Sequence, residues 1–415
     1  MRTTGGKGAK VERRELVAAM WSLAAREGLA ACTYRGAAAE AGTSPTPFVR
    51  NFPNREAMLT ALFEEMDSRF EAARGEAVDE ADPVEALVAE GAQTLCGRGA
   101  RERNRVALDL SFHALRDPQM SRRVKAREKR LSGHWLALVE DARSRGKARE
   151  DRPAAEVADQ LSSLLSGLVF AGLAYPRRLP GEHVARLWDD GARRLLDPAL
   201  SPGVHQRLIV PEEPVPPSSL ATGPDRTRRQ ELLAVAFRVT ARDGLSGLSF
   251  RRLADEAGTS TTPFTYEFGS RQELLVAMVG ATWEADEEVK AMASRIASPL
   301  DRFFAEWAAE LSDDPRQVDR ERVYFELHHQ ALTSPELARL MREADQYGFE
   351  SSLPFIEAGL EEGLVRDDIA VTDLVDCLYA LNDGIGLRRA VLRERRPAGY
   401  RIALWEDGGR RMLAP

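Results

Sequence analysis

"EAGTSPTPFVRNF" spans Glu40–Phe52, and "EAGTSTTPFTYEF" spans Glu256–Phe268, 216 residues further along the same chain. The runs agree at the small residues Gly42 and Gly258 and at the aromatic pairs Phe48/Phe52 and Phe264/Phe268. They differ between the aromatics, where one has Val49, Arg50 and Asn51 and the other Thr265, Tyr266 and Glu267. Agreement at shape-setting positions with divergence between them marks a duplicated unit whose two surfaces have separated.

The duplication extends outward. At an offset of 216, residues 13–62 match residues 229–278 without a gap at 22 of 50 positions, including Gly28/Gly244 and Arg55/Arg271. Pro83 then pairs with Pro299, and after one extra residue Pro118/Pro335, Gly146/Gly363, Arg149/Arg366, Asp151/Asp368, Gly167/Gly384, Trp188/Trp405 and Pro198/Pro415 hold register. Each copy has roughly 200 residues, the size of a whole domain or pair of domains. Between them lies "LSPGVHQRLIVPEEPVPPSSLATGPD", whose prolines and serines predict an extended linker. At about 3.1 Å per residue, roughly 25 such residues reach about 80 Å.

A chain of 415 residues with 43% apolar and 30% charged residues is expected to be soluble and to form two or more domains. The apolar run Leu164–Tyr175 is short for a bilayer span, and "MRTTGGKGAKVERRE" lacks the apolar segment of a signal peptide. Cys32, Cys96 and Cys377 are far apart, so neither a disulfide framework nor a zinc site is expected and a reducing cytoplasm fits. The net charge is −7, but residues 1–62 hold nine Lys/Arg against five Asp/Glu (+4). Residues 222–278 hold eight against seven (+1), which leaves −12 on the remainder. The acidity lies away from the repeated run.

Both copies open with apolar residues at helical spacing: Leu16, Met20, Leu23 and Ala24, then Leu232, Ala236, Val239 and Thr240. Gly28 and Gly244 close these helices, and Thr33 and Ser249 head short second helices ending at Gly42 and Gly258. Ser44 and Ser260 are expected to cap third helices whose first turns hold Pro45, Pro47 and Pro263. No segment alternates like a strand, so the fold class is all-α. A helix, a Gly turn and a helix of about eight residues have the spacing of a helix-turn-helix.

With Phe48, Phe52 and "NREAML", and more closely in "LADEAGTSTTPFTYEFGSRQELL", these stretches resemble the N-terminal DNA-binding domain of TetR family transcriptional regulators. "LLSGLVFAGLAY" and "ALNDGIGLRRAVL" look like that family's penultimate helix. The resemblance implies two tandem units, each a helix-turn-helix head followed by a helical ligand-binding and dimerisation domain. The expected divisions are residues 1–56, 57–200, a linker at 201–223, 224–274 and 275–415. Such regulators act as twofold dimers, so one chain carrying both units is expected to form an intramolecular pseudo-dimer on double-stranded DNA, with no membrane partner.

The expected DNA contacts are Thr33, Arg35, Thr43, Ser44, Thr46, Pro47, Arg50, Asn51 and Arg55 in the first head. In the second they are Ser249, Arg251, Thr259, Ser260, Thr262, Pro263, Thr265, Tyr266 and Arg271. Arg50 suits a guanine edge or a phosphate and Asn51 an adenine edge, whereas Glu267 cannot approach phosphate favourably but can accept from a cytosine amine. Arg55 and Arg271 stand where the family usually has a phosphate-contacting lysine. The family's tyrosine in the recognition helix is replaced by Val49 and Thr265, with Tyr266 one position on. The arm residues Arg2, Lys7 and Lys10 suit a minor groove or a solvated tail. The stronger charge of the first head predicts tighter binding there and an imperfectly palindromic operator.

His113 and the pair His328–His329 occupy nearly equivalent places, but no Cys, Glu or Asp falls at ligand spacing beside both, so they are expected at a helix interface rather than on a metal. No GxSxG, HExxH or P-loop occurs, so neither an enzyme nor a cofactor is expected. The resemblance implies a small-molecule effector of unidentified chemistry, with Phe112, His113, Trp135, Tyr324, His328 and Phe355 as candidate lining residues. The helices at about 153–197 and 370–413 are expected to pack together, with Ser162, Ser166, Gly167, Gly384 and Gly386 allowing close approach. A ligand-responsive repressor is the leading reading. The alternatives are an activator, a single-headed binder, or a helical interaction protein whose heads have degenerated.

Overall fold

The computed structural model describes residues 12–77, 81–200, 228–393 and 396–415, and among them every regular element is an α-helix or a short 3-10 turn. The first copy comprises α1 (Arg13–Glu27), α2 (Tyr34–Glu40), α3 (Thr46–Asn51), α4 (Arg55–Ala77), α5 (Pro83–Cys96), α6 (Ala100–Ala114), α7 (Pro118–Ser144), α8 (Ala154–Ala174) and α9 (Gly181–Leu196). The second repeats this order as α10 (Arg228–Asp243), α11 (Phe250–Ala257), α12 (Thr262–Phe268), α13 (Arg271–Ala293), α14 (Pro299–Glu310), α15 (Pro315–Ala331), α16 (Pro335–Glu361), α17 (Val371–Leu392) and α18 (Tyr400–Leu413). The proposed linker and the arm residues Arg2, Lys7 and Lys10 lie outside the described residues.

Each head is built around its two phenylalanines. Leu16, Met20, Leu23 and Ala24 bury one face of α1 against Phe48 and Phe52, and Leu232, Ala236 and Val239 do the same with Phe264 and Phe268. Gly28 and Gly244 end the first helices at φ +85° and +72°, backbone angles that only glycine adopts without strain. Thr33 Oγ1 accepts from the Gly36 N–H at 3.0 Å, and Ser249 Oγ accepts from the Arg252 N–H at 3.3 Å, so both caps form as expected. Ser44 and Ser260 do not cap: the N-cap positions are Pro45 and Thr261, and no side chain bonds there. A capping serine accepts from the second or third N–H onward, and the third residue on is Pro47 or Pro263, which has none.

The heads are fused to their large domains rather than tethered to them. The apolar cluster of the first head continues through Met58, Leu59, Leu62 and Met66 of α4 to Val106 and Leu110 of α6. That of the second runs through Leu274 and Met278 of α13 to Val323 and Leu327 of α15.

The two copies pack through α8 and α17, flanked by α9 and α18. A Cβ at Gly167 would lie 2.5 Å from the carbonyl carbon of Ala380, and one at Gly384 would lie 2.5 Å from that of Ser163. Glycine is required at both positions, because the backbones touch. The expectation for the other small residues is corrected: Ser162 and Ser166 line a cavity, and Gly386 faces Glu321 of its own copy. Successive helical residues turn by about 100°, so neighbours of the contact positions look elsewhere. α8 is 21 residues long and apolar enough to cross a membrane by length and composition, longer than the apolar run suggested; 56% of its most apolar window is buried inside this helical packing.

Buried polar groups repeat the pairing in both directions. Arg149 donates to Asp407 at 2.8 Å, and its counterpart Arg366 donates to Asp190, the counterpart of Asp407, also at 2.8 Å. Only 1% of the Arg149 surface and 6% of the Arg366 surface is exposed, and each charge is shared between its cross-copy carboxylate and one of its own copy, Asp151 or Asp368. Trp188 and Trp405 donate through Nε1 to the equivalent carbonyls of Val88 and Phe304. These matched contacts relate the large domains by an approximate twofold.

Candidate nucleic-acid interface and effector cavity

The short helices α3 and α12 bury one phenylalanine face and leave the other side open. Thr46, Val49 and Arg50 are exposed on α3, as are Thr262, Thr265 and Tyr266 on α12. Tyr266 is 85% exposed and Val49 53%, so both side chains stand free on the open face of their helices. Thr33, Arg35 and Ser44 flank α3 in exposed positions, and Ser249, Arg251 and Ser260 flank α12. Thr43 and Thr259 are half-buried in the turns, and Pro47 and Pro263 are half-buried at the starts of α3 and α12. Arg35, Arg50 and Arg251 make no hydrogen bond or ion pair with any described residue, so their guanidinium groups remain available for an anionic partner.

Three candidate contacts already have intramolecular work. Asn51 is half-buried, and its Nδ2 donates to the Pro47 carbonyl at 2.8 Å, which uses one of its two N–H groups and leaves the other, with the oxygen, for a base edge. Arg55 Nη2 donates to the Leu29 carbonyl at 3.2 Å. Arg271 donates to Leu248 and Leu245 at 3.2 and 2.9 Å. These arginines brace the start of the fourth helix against the turn joining the first two, a role that linear spacing does not reveal. The second head also neutralises its own cations: Arg252 pairs with Asp243, and Arg242 with Asp243 and Glu256. Its free basic surface is smaller than the count of arginines implies.

At the joint between the first head and the large domains, Asp109 of α6 accepts from the Leu29 N–H at 2.9 Å and from His329 Nε2 at 2.6 Å, with Arg105 at 3.2 Å. His329 belongs to the second copy, so one carboxylate links a head to the opposite half. Burial raises the Asp109 carboxyl, but the bond from His329 and the nearby charges outweigh it and hold the group below the usual range. The corresponding joint of the second head has Glu326, the counterpart of Asp109, paired with Arg116 of the first copy beside Gly244. The expectation that the paired histidines sit at a helix interface is met, and the interface is between copies.

The large domains enclose two cavities at equivalent places. One of about 520 Å³ is lined by Trp307, Glu310, Glu321, Tyr324, Phe349, Tyr379 and Asp383 of the second copy and by Tyr175 of the first. The other, about 200 Å³, is lined by Trp135, Ser162, Leu165, Ser166 and Arg127 of the first copy with Arg388 of the second. Of the expected lining residues, Trp135 and Tyr324 face a cavity. Phe112 instead stacks on His329 with centroids 4.4 Å apart, and His113 bonds Asp117 at 3.3 Å. Phe355 packs with Phe303 in the core. His328 lies behind the cavity wall among Tyr175, Tyr324 and Phe170. The misplaced residues are aromatic and histidine side chains chosen by type, and core and cavity wall draw on the same types. Asp383 was missed; the signal was its alignment with Ser166 in the repeat.

A helix-turn-helix whose second short helix stands exposed, carried on a helical domain that encloses a cavity, defines a DNA-binding regulator. Comparison with known proteins agrees. The profile described as "Bacterial regulatory proteins, tetR family" matches residues 232–278, and "BetI-type transcriptional repressor, C-terminal" matches both 83–197 and 299–413. The chain belongs to the TetR family. Similar proteins include the HTH-type transcriptional repressor AcnR of Corynebacterium efficiens, 26% identical over 41% of this chain and 87% of its own length. The HTH-type nicotine-responsive transcriptional repressor HdnoR of Paenarthrobacter nicotinovorans is 28% identical over 39% of this chain and 82% of its own. The HTH-type transcriptional regulator BetI of Brucella anthropi is 26% identical over 45% and 93%. Among solved structures, a transcriptional regulator from Saccharomonospora viridis in complex with choline is 24% identical, covering 43% of this chain and 93% of its own, with a TM-score of 0.40. Each relative therefore spans about half of this chain.

Proposed function

We propose that this DNA-binding regulator is a ligand-responsive repressor in which one polypeptide supplies both halves of the usual dimer. The observation that carries this reading is the reciprocal pairing of Arg149, ahead of α8, with Asp407 of α18 and of Arg366, ahead of α17, with Asp190 of α9. The two heads then act together at an effective concentration of millimolar order, and dilution does not separate them. Because the heads have diverged, the operator is an imperfect palindrome, read more strongly by the head carrying Arg35 and Arg50. The divisions at residues 56, 200, 223 and 274 belong to the same proposal. An effector in the large domains shifts the population toward an arrangement that no longer fits both half-sites.

A single-headed binder is the second reading, favoured by Glu267 and by Arg252, which is paired with Asp243 where the first head has Gly36. Footprinting separates the two. One chain per operator with unequal protection of two half-sites supports the pseudo-dimer; protection of one half-site alone supports the single head. Equal protection over a perfect inverted repeat by two chains contradicts both.

A further inference from the structure

The larger cavity differs from its counterpart in chemistry as well as size. Its wall is aromatic, with Trp307 and Tyr379 edge to face at 4.3 Å and Tyr324 against Phe325 at 5.2 Å. The rings at its edge already hold one cation: the Arg178 guanidinium lies 4.4 Å from the Phe349 centroid and 5.3 Å from that of Tyr175. Aromatic faces attract cations through the negative side of the ring quadrupole.

The acids around it are accounted for one by one. Glu310 of α14 pairs with Arg320 at 3.3 Å, Glu321 of α15 with Arg389 at 2.7 Å, and Asp376 of α17 with Arg178 at 2.7 Å. Asp345 of α16 accepts from the Tyr175 hydroxyl and lies 3.4 Å from His328. Asp383 of α17 lines the same space and makes no hydrogen bond or ion pair with any described residue. An unpaired carboxylate facing other acids inside an aromatic chamber lacks a positive charge. Of the cationic side chains on this lining, Arg177 and Arg342 make no hydrogen bond or ion pair with any described residue, and both are exposed.

The first copy keeps little of this: its cavity has the rings of Trp135 and Phe70, with the Arg127 guanidinium 4.5 Å from the Phe70 centroid. By the repeat, Ser166 stands for Asp383, Ser162 for Tyr379, Gly91 for Trp307, Ala107 for Tyr324, Thr94 for Glu310 and Asn104 for Glu321. Its acids at equivalent places, Glu128 for Asp345 and Asp159 for Asp376, are paired with Arg388 and with Arg396. The duplication thus leaves one chamber suited to a cation and one that is small and neutral to basic.

We propose that the cavity of the second copy binds an organic monocation, an ammonium with an apolar body, whose charge is met by Asp383 and whose body lies against Trp307, Tyr324 and Tyr379, with one ligand per chain. This rests on the effector-responsive reading above and names the chemistry of its ligand. The volume of about 520 Å³ falls within the range of sites for small ligands. Tyr175 comes from the first copy, so the chamber closes only when the two halves are packed together. Burial first, then the charges of Asp345 and Glu321, push the Asp383 carboxyl well above the usual range. Binding of a cation therefore displaces a proton from Asp383, and affinity rises with pH until that group ionises unaided.

The test uses the full chain and benzyltrimethylammonium, with benzyl alcohol and benzoate as neutral and anionic counterparts, in titration calorimetry. The expected result is one cation per chain, bound at least tenfold more tightly than either counterpart, with proton release in buffers of different ionisation heat. Asp383→Asn should weaken the cation at least tenfold and abolish proton release, Asp383→Glu should retain binding, and Ser166→Leu in the other cavity should leave it unchanged. Cation binding no tighter than that of benzyl alcohol overturns the inference. So does undiminished binding by Asp383→Asn with an unchanged melting temperature, or two equivalent sites per chain. The readout is independent of DNA: tight cation binding without any change in operator affinity would leave the site standing and remove the effector reading instead. Operator release by a neutral compound, with no cation bound, would do the reverse.

Discussion

The packing of the two copies rests on the backbone contact at Gly167 and Gly384, and Gly167→Ala perturbs it by one carbon. The new Cβ would sit 2.5 Å from the carbonyl carbon and 2.8 Å from the Cα of Ala380. Carbon–carbon contacts below about 3.4 Å are strongly repulsive, so α8 and α17 must part by about 1 Å along a shared core. Overpacking of this kind typically costs about 1–3 kcal/mol. The upper end applies here, because the obstacle is backbone rather than a side chain that can rotate away. Alanine also returns about 1 kcal/mol of helix propensity relative to glycine, so the net loss should be about 2 kcal/mol. In a domain of this size that lowers the melting temperature by roughly 4–8 °C. The control is Gly133→Ala on α7, where a Cβ meets nothing within 4 Å and only the propensity gain of up to about 1 kcal/mol remains. The assay is thermal and urea unfolding of the three proteins side by side. If Gly167→Ala is as stable as Gly133→Ala, the helices do not meet at that glycine and the approximate twofold is wrong.

Arg50→Ala should weaken operator binding and reduce the salt slope by about one if the contact is a phosphate, or cost about 1–3 kcal/mol and relax one base preference if it is a guanine, as read in a mobility shift across salt concentrations. His329→Ala removes the 2.6 Å bond to Asp109, whose side chain is 3% exposed, and should destabilise the joint by about 1–3 kcal/mol. Faster hydrogen exchange at the Leu29 amide would report it, and unchanged exchange would count against a link between that histidine and the first head. Burial lifts the Asp376 carboxyl to about 6, over the opposing charge of Arg178. A raised value in the folded state gives stability that is complete below about 4 and fades as pH climbs through about 6. Asp376→Asn should therefore gain on the parent by up to about 3 kcal/mol between pH 4 and 7, and a constant difference in midpoint would refute the assignment.

The sequence alone determined the duplication, the all-helical class, the helix-turn-helix heads and their helix ends at Gly28, Gly244, Thr33 and Ser249. Those features are legible because glycine at positive φ, capping hydroxyls and apolar periodicity act over a few residues. It also pointed to the last two helices of each copy as the meeting surface, with Gly167 and Gly384 at matched positions. Tertiary structure alone decided which small residues touch, that Arg55 and Arg271 brace a turn, and that Asn51 bonds its own helix. It also decided that Asp109 and His329 join a head to the opposite copy, and that Asp383 stands unpaired in a chamber closed by Tyr175. Each of these depends on distances between residues up to 220 positions apart. A hydrogen bond or ion pair is decided within about 1 Å, and no local pattern in a chain specifies a separation of that kind.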